Sequence, residues 1–572
     1  MMQLQCSSNA VHNALFCHEI LVEILAYLSP GWFPWLRSDR DSDSRKSEIR
    51  EDIKTRRALQ RTLASCARTC QAFSEPALAE LWRVLDHYIL LLRFLPWRRS
   101  RNGVFDGMIE LEPEIDDRAW SRFRWYARLV CEMNGSVYPD DIGVHRNTWT
   151  LLASRLQGEP FLPCLRRLQM PVDVLKDTMP FLFSLSPTVR VLTFEFDHPW
   201  YSTRVLGYGL SVSDDTEFLH TFLHLISGSA GDPLNASMCR LLEGDTEEVM
   251  QHLRSCARLD VLQRLDLRKA RYTIDRSAVS ALSRLGSLHT LRIGLSAQDP
   301  PTTPLFTGFA SLRNLSLGYL PITVLSEILT TGSLRASSLR SIEFDTSTKA
   351  RNHAIPISEF QHHLSSIRAT LPDELESVRL KLTYHSNTGP PPPLSDLFAP
   401  FLSLGSLKLF EVFFRSKCVL RVADEDLRAL ASAWPDLEVL YIRTWDSMRP
   451  PRGFSTTRPP TVATLAEFAR GCPRLHKVTF PGLDVAALAE EDGAPHSHFE
   501  VEAHQGVRFL DVGALVGDNG LSAQDVASVL DRLFPCHEEY SRVGGEHHRT
   551  KSWFAVQDAM REIRAARIAI TV

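Results

Sequence analysis

Leu312-Arg313-Asn314-Leu315-Ser316-Leu317 decides how this chain folds, because its Leu-x-x-Leu-x-Leu pattern recurs along most of the 572 residues. Other copies begin at Leu165, Val189, Leu262, Leu288, Leu339, Leu375, Leu404, Leu437, Leu475 and Val507. Alternate side chains of a strand face the same way, so Leu315 and Leu317 are set to point into a core while Asn314 and Ser316 face out. So short an apolar strip cannot bury itself alone. It needs the next copy beside it.

Copy starts at Leu262, Leu288, Leu312 and Leu339 are 26, 24 and 27 residues apart. Later gaps widen to 36, 29, 33, 38 and 32, still room for one strand, one helix and their loops. Self-similarity of this period marks a leucine-rich-repeat solenoid of parallel strands alternating with helices, an α/β fold. The connecting stretches 278–285, 324–329, 426–434 and 463–470 carry apolar residues at the 3–4 spacing of one helical face. Asp424 is placed to cap the third of these, and Pro435 and Pro473 sit where helices end. An ordinary α/β domain with buried strands is the competing reading; eleven matches in one pattern argue against it.

Composition agrees with a chain that folds in water, with 44% hydrophobic and 23% charged residues. A net charge of −4 gives no reason to expect bulk attraction to nucleic acid or membrane. Eleven scattered cysteines are an odd count that suits buried thiols in a reducing compartment better than a disulfide framework. The first residues lack the basic and apolar regions of a signal peptide. A cytoplasmic or nuclear location is therefore expected.

Before the repeats stand three helical patterns. In 15–28 the apolar positions Ile20, Leu21, Ile24, Leu25 and Leu28 form a stripe, stopped by Ser29-Pro30-Gly31. In 59–73 a second stripe holds Leu59, Leu63, Cys66, Ala67 and Cys70. The third, 76–85, opens with Pro76 at a plausible first helical position. The order Glu19-Ile20-Leu21-x-x-Ile24-Leu25-x-x-Leu28, then Leu63-x-x-Cys66-Ala67-x-x-Cys70-x-x-Phe73, then Pro76-Ala77-Leu78-x-x-Leu81-Trp82 resembles an F-box domain of the kind found ahead of leucine-rich repeats in many fungal proteins. That resemblance implies docking onto the Skp-type adaptor of a cullin-based ubiquitin ligase. It places Leu15, Ile20, Leu21, Ile24, Leu25 and Leu28 at or near the adaptor contact. Leu63, Cys66, Ala67, Cys70 and Phe73 follow from the second helix, and Leu78, Leu81 and Trp82 from the third. This sequence has Phe16-Cys17 where the family has Leu-Pro, and a long charged insert at about 29–57 whose second half reads as a helical extension. A plain N-terminal cap for the repeats is the alternative.

The expected organisation is thus an F-box-like domain over 1–85, a helical junction over 86–160, repeats over 161–535, and a polar loop with a capping helix over 536–572. In the junction Trp120, Phe123, Tyr126, Ala127 and Val130 recur at 3–4 spacing and predict a helix packed on the first repeats. Between 196 and 262 the repeat signal lapses. Pro390-Pro391-Pro392-Pro393 must be extended.

No catalytic motif is recognisable. Cys66 and Cys70 at i, i+4 could share a metal, but no second Cys or His pair stands near them, and both fit the apolar stripe. The pairs His362-His363 and His547-His548 point in different directions on regular structure. There is no His-Glu-x-x-His, nucleophile elbow or phosphate loop. Neither cofactor nor enzymatic activity is expected. The outward strand positions instead suggest binding: Arg379, Lys381, Lys408, Phe410, Tyr441, Arg443 and Lys477 come from consecutive late copies. With strands about 4.8 Å apart they would make one basic and aromatic patch for a target protein, an acidic or phosphorylated segment in particular. The expected function is a substrate receptor of a Skp-cullin-F-box ubiquitin ligase. The alternative is an interaction scaffold whose F-box is degenerate.

Overall fold

The computed structural model describes residues 17–29, 43–99, 108–134, 144–172, 179–196, 219, 222–228, 247–267, 274, 276–295, 308–318, 320–331, 338–346, 355–382, 392–414, 422–444, 458–488, 506–517, 520–535 and 551–571. Leu15, Pro390, Pro391 and His547-His548 lie outside them. Among the described residues thirteen strands form a parallel sheet whose order is that of the chain. Two compact units divide the chain, Met1–Thr290 and Leu291–Val572, each described by itself.

The first unit opens with helices α1 (His18–Ala26), α2 (Asp43–Thr69) and α3 (Gln71–Trp82). Helix α2 takes in the second half of the charged insert, from Asp43, as a continuous extension. It stops at Cys70, an extended residue with φ −158° and ψ 167°. Pro76 lies inside α3 rather than at its head, so the predicted start is corrected by five residues to Gln71. Strand β1 (Val84–Leu85) follows α3 after one residue, and α4 (Ile89–Leu92), β2 (Trp97–Arg99) and β3 (Ile109–Leu111) come next, β2 and β3 pairing antiparallel. Helix α5 (Asp117–Leu129) is the junction helix. The Asp116 carboxylate caps it, accepting the Ala119 N–H at 2.7 Å. Then follow β4 (Glu132–Asn134), α6 (Arg146–Leu156), β5 (Arg167–Val172), α7 (Met179–Phe183), β6 (Val191–Phe196), α8 (Glu247–Cys256), β7 (Arg264–Asp266) and α9 (Arg276–Leu282). Strands β1, β4, β5, β6 and β7 are parallel neighbours in that order. Two of them, β1 and β4, precede the first recognised copy.

The second unit contains β8 (Thr290–Gly294), β9 (Asn314–Gly318), α10 (Ile322–Thr331), β10 (Ser341–Asp345), α11 (Ile357–Ala369), β11 (Ser377–Leu382), α12 (Leu394–Leu397), β12 (Leu409–Phe414), α13 (Asp424–Ala433), β13 (Val439–Thr444), α14 (Val462–Gly471), β14 (Lys477–Phe480), β15 (Leu483–Asp484), β16 (Phe509–Val512), β17 (Leu515–Val516), α15 (Ala523–Leu533) and α16 (Lys551–Thr571). In β11 and β12 burial alternates strictly, Val378, Leu380 and Leu382 facing the core beside Phe410, Val412 and Phe414. Ser522 and Asp525 cap α15 reciprocally: Ser522 Oγ accepts the Asp525 N–H at 3.2 Å and the Asp525 carboxylate accepts the Ser522 N–H at 3.0 Å. Asp424 is not the cap of α13 but its first residue. The buried Asp426 carboxylate reaches back to the Ala423 N–H at 2.8 Å.

One hydrogen-bond device sets the register of nearly every repeat. The last residue before a strand and the strand's first residue both donate to one carbonyl of the preceding turn. Arg340 and Ser341 donate to Arg313, Glu376 and Ser377 to Arg340, Lys408 and Leu409 to Glu376, and Glu438 and Val439 to Lys408, at 2.7 to 3.0 Å. A shared acceptor at each step fixes the pairing to the residue, because a one-residue slip would turn every inward leucine to water. The hydroxyls of Thr188, Ser338 and Ser406 add a second tie, to the carbonyls of Leu165, Leu312 and Leu375 at 2.8, 2.8 and 3.2 Å.

Those hydroxyls correct one copy. Each precedes the first apolar residue of its repeat, so the partner of Val189 and Leu339 is Leu407, not Leu404. The strand β12 is therefore shifted by three residues. Phe410 points into the core, fully buried against Phe398 and Trp434, with ring centroids 5.2 and 4.6 Å away. Lys408 sits in the turn. With that shift, each of the eleven copies places a strand beginning two residues after its first apolar position.

Candidate docking surfaces

The three-helix head is built on Leu25, Leu63 and Ala77, all buried, with Leu28, Cys66, Ala67 and Leu81 packed around them. Leu21, Leu25 and Leu28 lie at i, i+4 and i+7 and form the inward stripe of α1, with Leu21 and Leu25 each 1% exposed. This corrects the expectation for Leu21, Leu25 and Leu63: they hold the head together and are not free to meet a partner. Beside that stripe runs a second one at the same spacing. Ile20, Ile24 and Tyr27 are 42%, 46% and 88% exposed, and Val22 is 37% exposed. Helix α1 is thus apolar on two faces, one spent inside and one open. No signal in the sequence separates them, since both repeat every three to four residues.

Other head residues fall on different sides. Cys66, Ala67, Phe73, Leu78 and Leu81 are half-buried and Cys70 is exposed. Trp82 packs into the junction, where its ring lies 5.4 Å from Phe94 and 4.8 Å from Tyr126. It anchors the head to α5. Two polar ties complete the seating. Arg83 donates to Ser29 Oγ at 3.2 Å, and the buried Arg56 pairs with Asp86 at 2.5 Å, joining α2 to the segment after β1.

The outward face of the second unit reads differently from its sequence. Register places Glu343, Arg379, Glu411, Tyr441, Thr479 and Asp511 in one row across β10 to β16. Asp345, Lys381, Phe413 and Arg443 make the next. The cations are therefore met by carboxylates from other strands of the sheet. Arg379 pairs with Glu411 at 3.2 Å, Lys381 with Glu343 at 2.6 Å, and Arg443 with the buried Asp511. Lys408, in its turn, pairs with Glu376 at 2.8 Å. The predicted basic patch is corrected to a face of alternating charge. Lys477 differs: its ammonium lies 5.0 Å above the Phe509 ring and 5.7 Å from the Tyr441 ring, and no carboxylate pairs with it among the described residues.

No family model and no curated protein matches this sequence. Solved structures do. A crystal structure of the Rad7 and Elc1 complex in yeast is 13% identical, covering 59% of this chain and 91% of that one, with a TM-score of 0.28. A leucine-rich-repeat protein of Leptospira interrogans is 10% identical, covering 80% and 99%, also with a TM-score of 0.28. Parallel strands paired in chain order, most of them followed by a helix, make a fold of the leucine-rich-repeat type, as the repeated sequence pattern predicts.

The described cysteines are all free, and burial pushes the thiols of Cys256 and Cys472 up to about 12. Among the described residues no group of three or more His, Cys, Asp and Glu could hold a metal. No helix there is long and apolar enough to cross a membrane.

Proposed function

We propose that this chain is the substrate-recognition subunit of a Skp-cullin-F-box type ubiquitin ligase, engaging the adaptor through α1 and a target through the sheet face of its second unit. The observation that supports this reading is the open stripe Ile20, Ile24 and Tyr27 on a helix whose other stripe already fills the head's core. Apolar side chains kept in water beside a completed core are expected where a partner covers them. The protein then does no bond chemistry. It raises the effective concentration of a target near the transfer machinery, working in the cytoplasm or nucleus.

The target reading follows the corrected face. With Glu343, Glu411 and Asp511 beside the cations, an acidic or phosphorylated segment must compete with built-in carboxylates. A segment of mixed charge, with an acidic group for Lys477, suits the surface better.

Affinity purification of the full chain from its cells tests the proposal. Immunoblotting should recover adaptor and cullin with wild type and lose both with Ile24→Asp, since a charge in an apolar contact costs several kcal/mol. Leu21→Asp would break the head itself and tells nothing about the contact. A folded protein that never recovers the adaptor favours the scaffold reading with a degenerate F-box.

A further inference from the structure

Helix α5 carries a second exposed surface, on a different element from the open stripe of α1. Its inward face is Phe123 and Ala127, both buried, with Tyr126 half-buried against Trp82 and Phe94. Its outward face holds Arg118, Arg122, Trp125 and Arg128, all exposed, Trp125 at 41%. Steps of four, three and three residues put these four on one side, along about 15 Å of helix.

Two carboxylates head the helix. Asp116 is the helix cap, and Asp117 lies 3.7 Å from Arg155. Arg124, on another side of the helix, is held by Glu159 and by the Pro160 carbonyl at 3.1 Å. Among the described residues Arg118, Arg122 and Arg128 have no carboxylate partner. Arg122 is also positioned. Its guanidinium carbon lies 4.9 Å from the Phe94 ring centroid and 6.0 Å from that of Tyr126. Those two rings are stacked at 4.3 Å and 5°, and Trp125 meets Tyr126 edge-on at 4.8 Å. A guanidinium resting on rings keeps its edge donors available while losing little freedom on binding.

We propose that this face of α5 docks an acidic segment of a partner protein. Arginine pairs with carboxylates in a two-pronged geometry, and arginine beside exposed tryptophan is the usual make-up of an interface anchor. Three guanidiniums on a chain of net charge −4 are too small a field for bulk nucleic-acid binding. The proposal does not depend on the adaptor reading, which Ile24→Asp tests separately.

The test is fluorescence anisotropy of a labelled octaglutamate peptide titrated with the full chain at low salt. The triple variant Arg118→Glu, Arg122→Glu, Arg128→Glu should weaken binding by about tenfold or more. The control reverses Arg57, Arg61 and Arg68, exposed on α2. It changes net charge by the same amount and should weaken binding by about threefold at most. Trp125→Ala should also weaken it. If the α5 triple loses its helical circular dichroism, Arg122→Gln supplies the reading with the side chain's bulk kept. Equal loss in both triples overturns the proposal, as does no measurable binding. So does tighter binding of the wild type to oligothymidine or to phosphatidylserine vesicles than to the peptide.

Discussion

Neighbouring residues Ile24 and Leu25 offer a direct test of the two-faced helix. Leu25 is 1% exposed and packs on Leu63 and Ala77, ringed by Leu28, Cys66, Ala67 and Leu81. Truncating it to alanine removes three buried carbons and leaves a cavity among helices tied at both ends, at a cost of about 2–5 kcal/mol. Ile24 is 46% exposed, so about half of its contact with the protein was never made, and Ile24→Ala should cost about 1 kcal/mol or less. Alanine's higher helix propensity returns a few tenths in both variants, which leaves the difference intact. Two compact units can unfold separately, so a local assay reads α1 most directly. Hydrogen–deuterium exchange over residues 18–28 reads the opening of α1 itself. At 1.4 kcal/mol per decade, Leu25→Ala should lower protection by about 30-fold or more, and Ile24→Ala by about fivefold at most. Equal losses would mean that the stripes are not inward and outward, and the docking argument would go with them.

Two further outcomes follow from buried polar groups. His252 is 1% exposed and stacks 4.8 Å from Phe183; neither ring nitrogen has a hydrogen-bond partner among the described residues, and burial lowers its pKa to about 4. The folded state therefore binds fewer protons than the unfolded one below the ordinary histidine range. Stability is full above about pH 6.5 and falls by about 3 kcal/mol as pH drops through 4; His252→Phe should flatten that slope in acid unfolding monitored by tryptophan fluorescence. Asp426, 1% exposed, accepts from the Ala423 N–H and from both the backbone N–H and the hydroxyl of Ser395 at 2.6 to 2.8 Å. Asp426→Ala orphans these donors and should lower the thermal midpoint, at about 2–4 kcal/mol, whereas Glu425→Ala on the exposed side should change it by less than about 0.5 kcal/mol.

What the sequence could reveal depended on whether a property is local. The alternation Leu315-x-Leu317 or Val378-x-Leu380-x-Leu382 is written into consecutive residues, so each copy announces its strand. Where apolar residues crowd, as at Leu404, Leu407, Leu409 and Phe410, three phases compete, and only the Ser406 hydroxyl and the Glu376 carbonyl decide among them. Strand β1 is two residues long and gives no period to detect. Charge on the sheet face was misread because Glu411, a neighbour of Arg379 in space, is 32 residues away in sequence. The same limit hid which stripe of α1 was already occupied by α2 and α3.

Only Arg83 lies between the end of α3 and β1, and Val84 and Leu85 are paired with Glu132 and Met133. The direction in which α1 shows its open side is therefore geared to a ladder of main-chain bonds, with no swivel. Adding one residue after Trp82 would either rotate the three helices by a fraction of a turn or exchange the inner and outer sides of that first rung. A designer wishing to graft the head onto another body must take its opening strand along, or lose its aim.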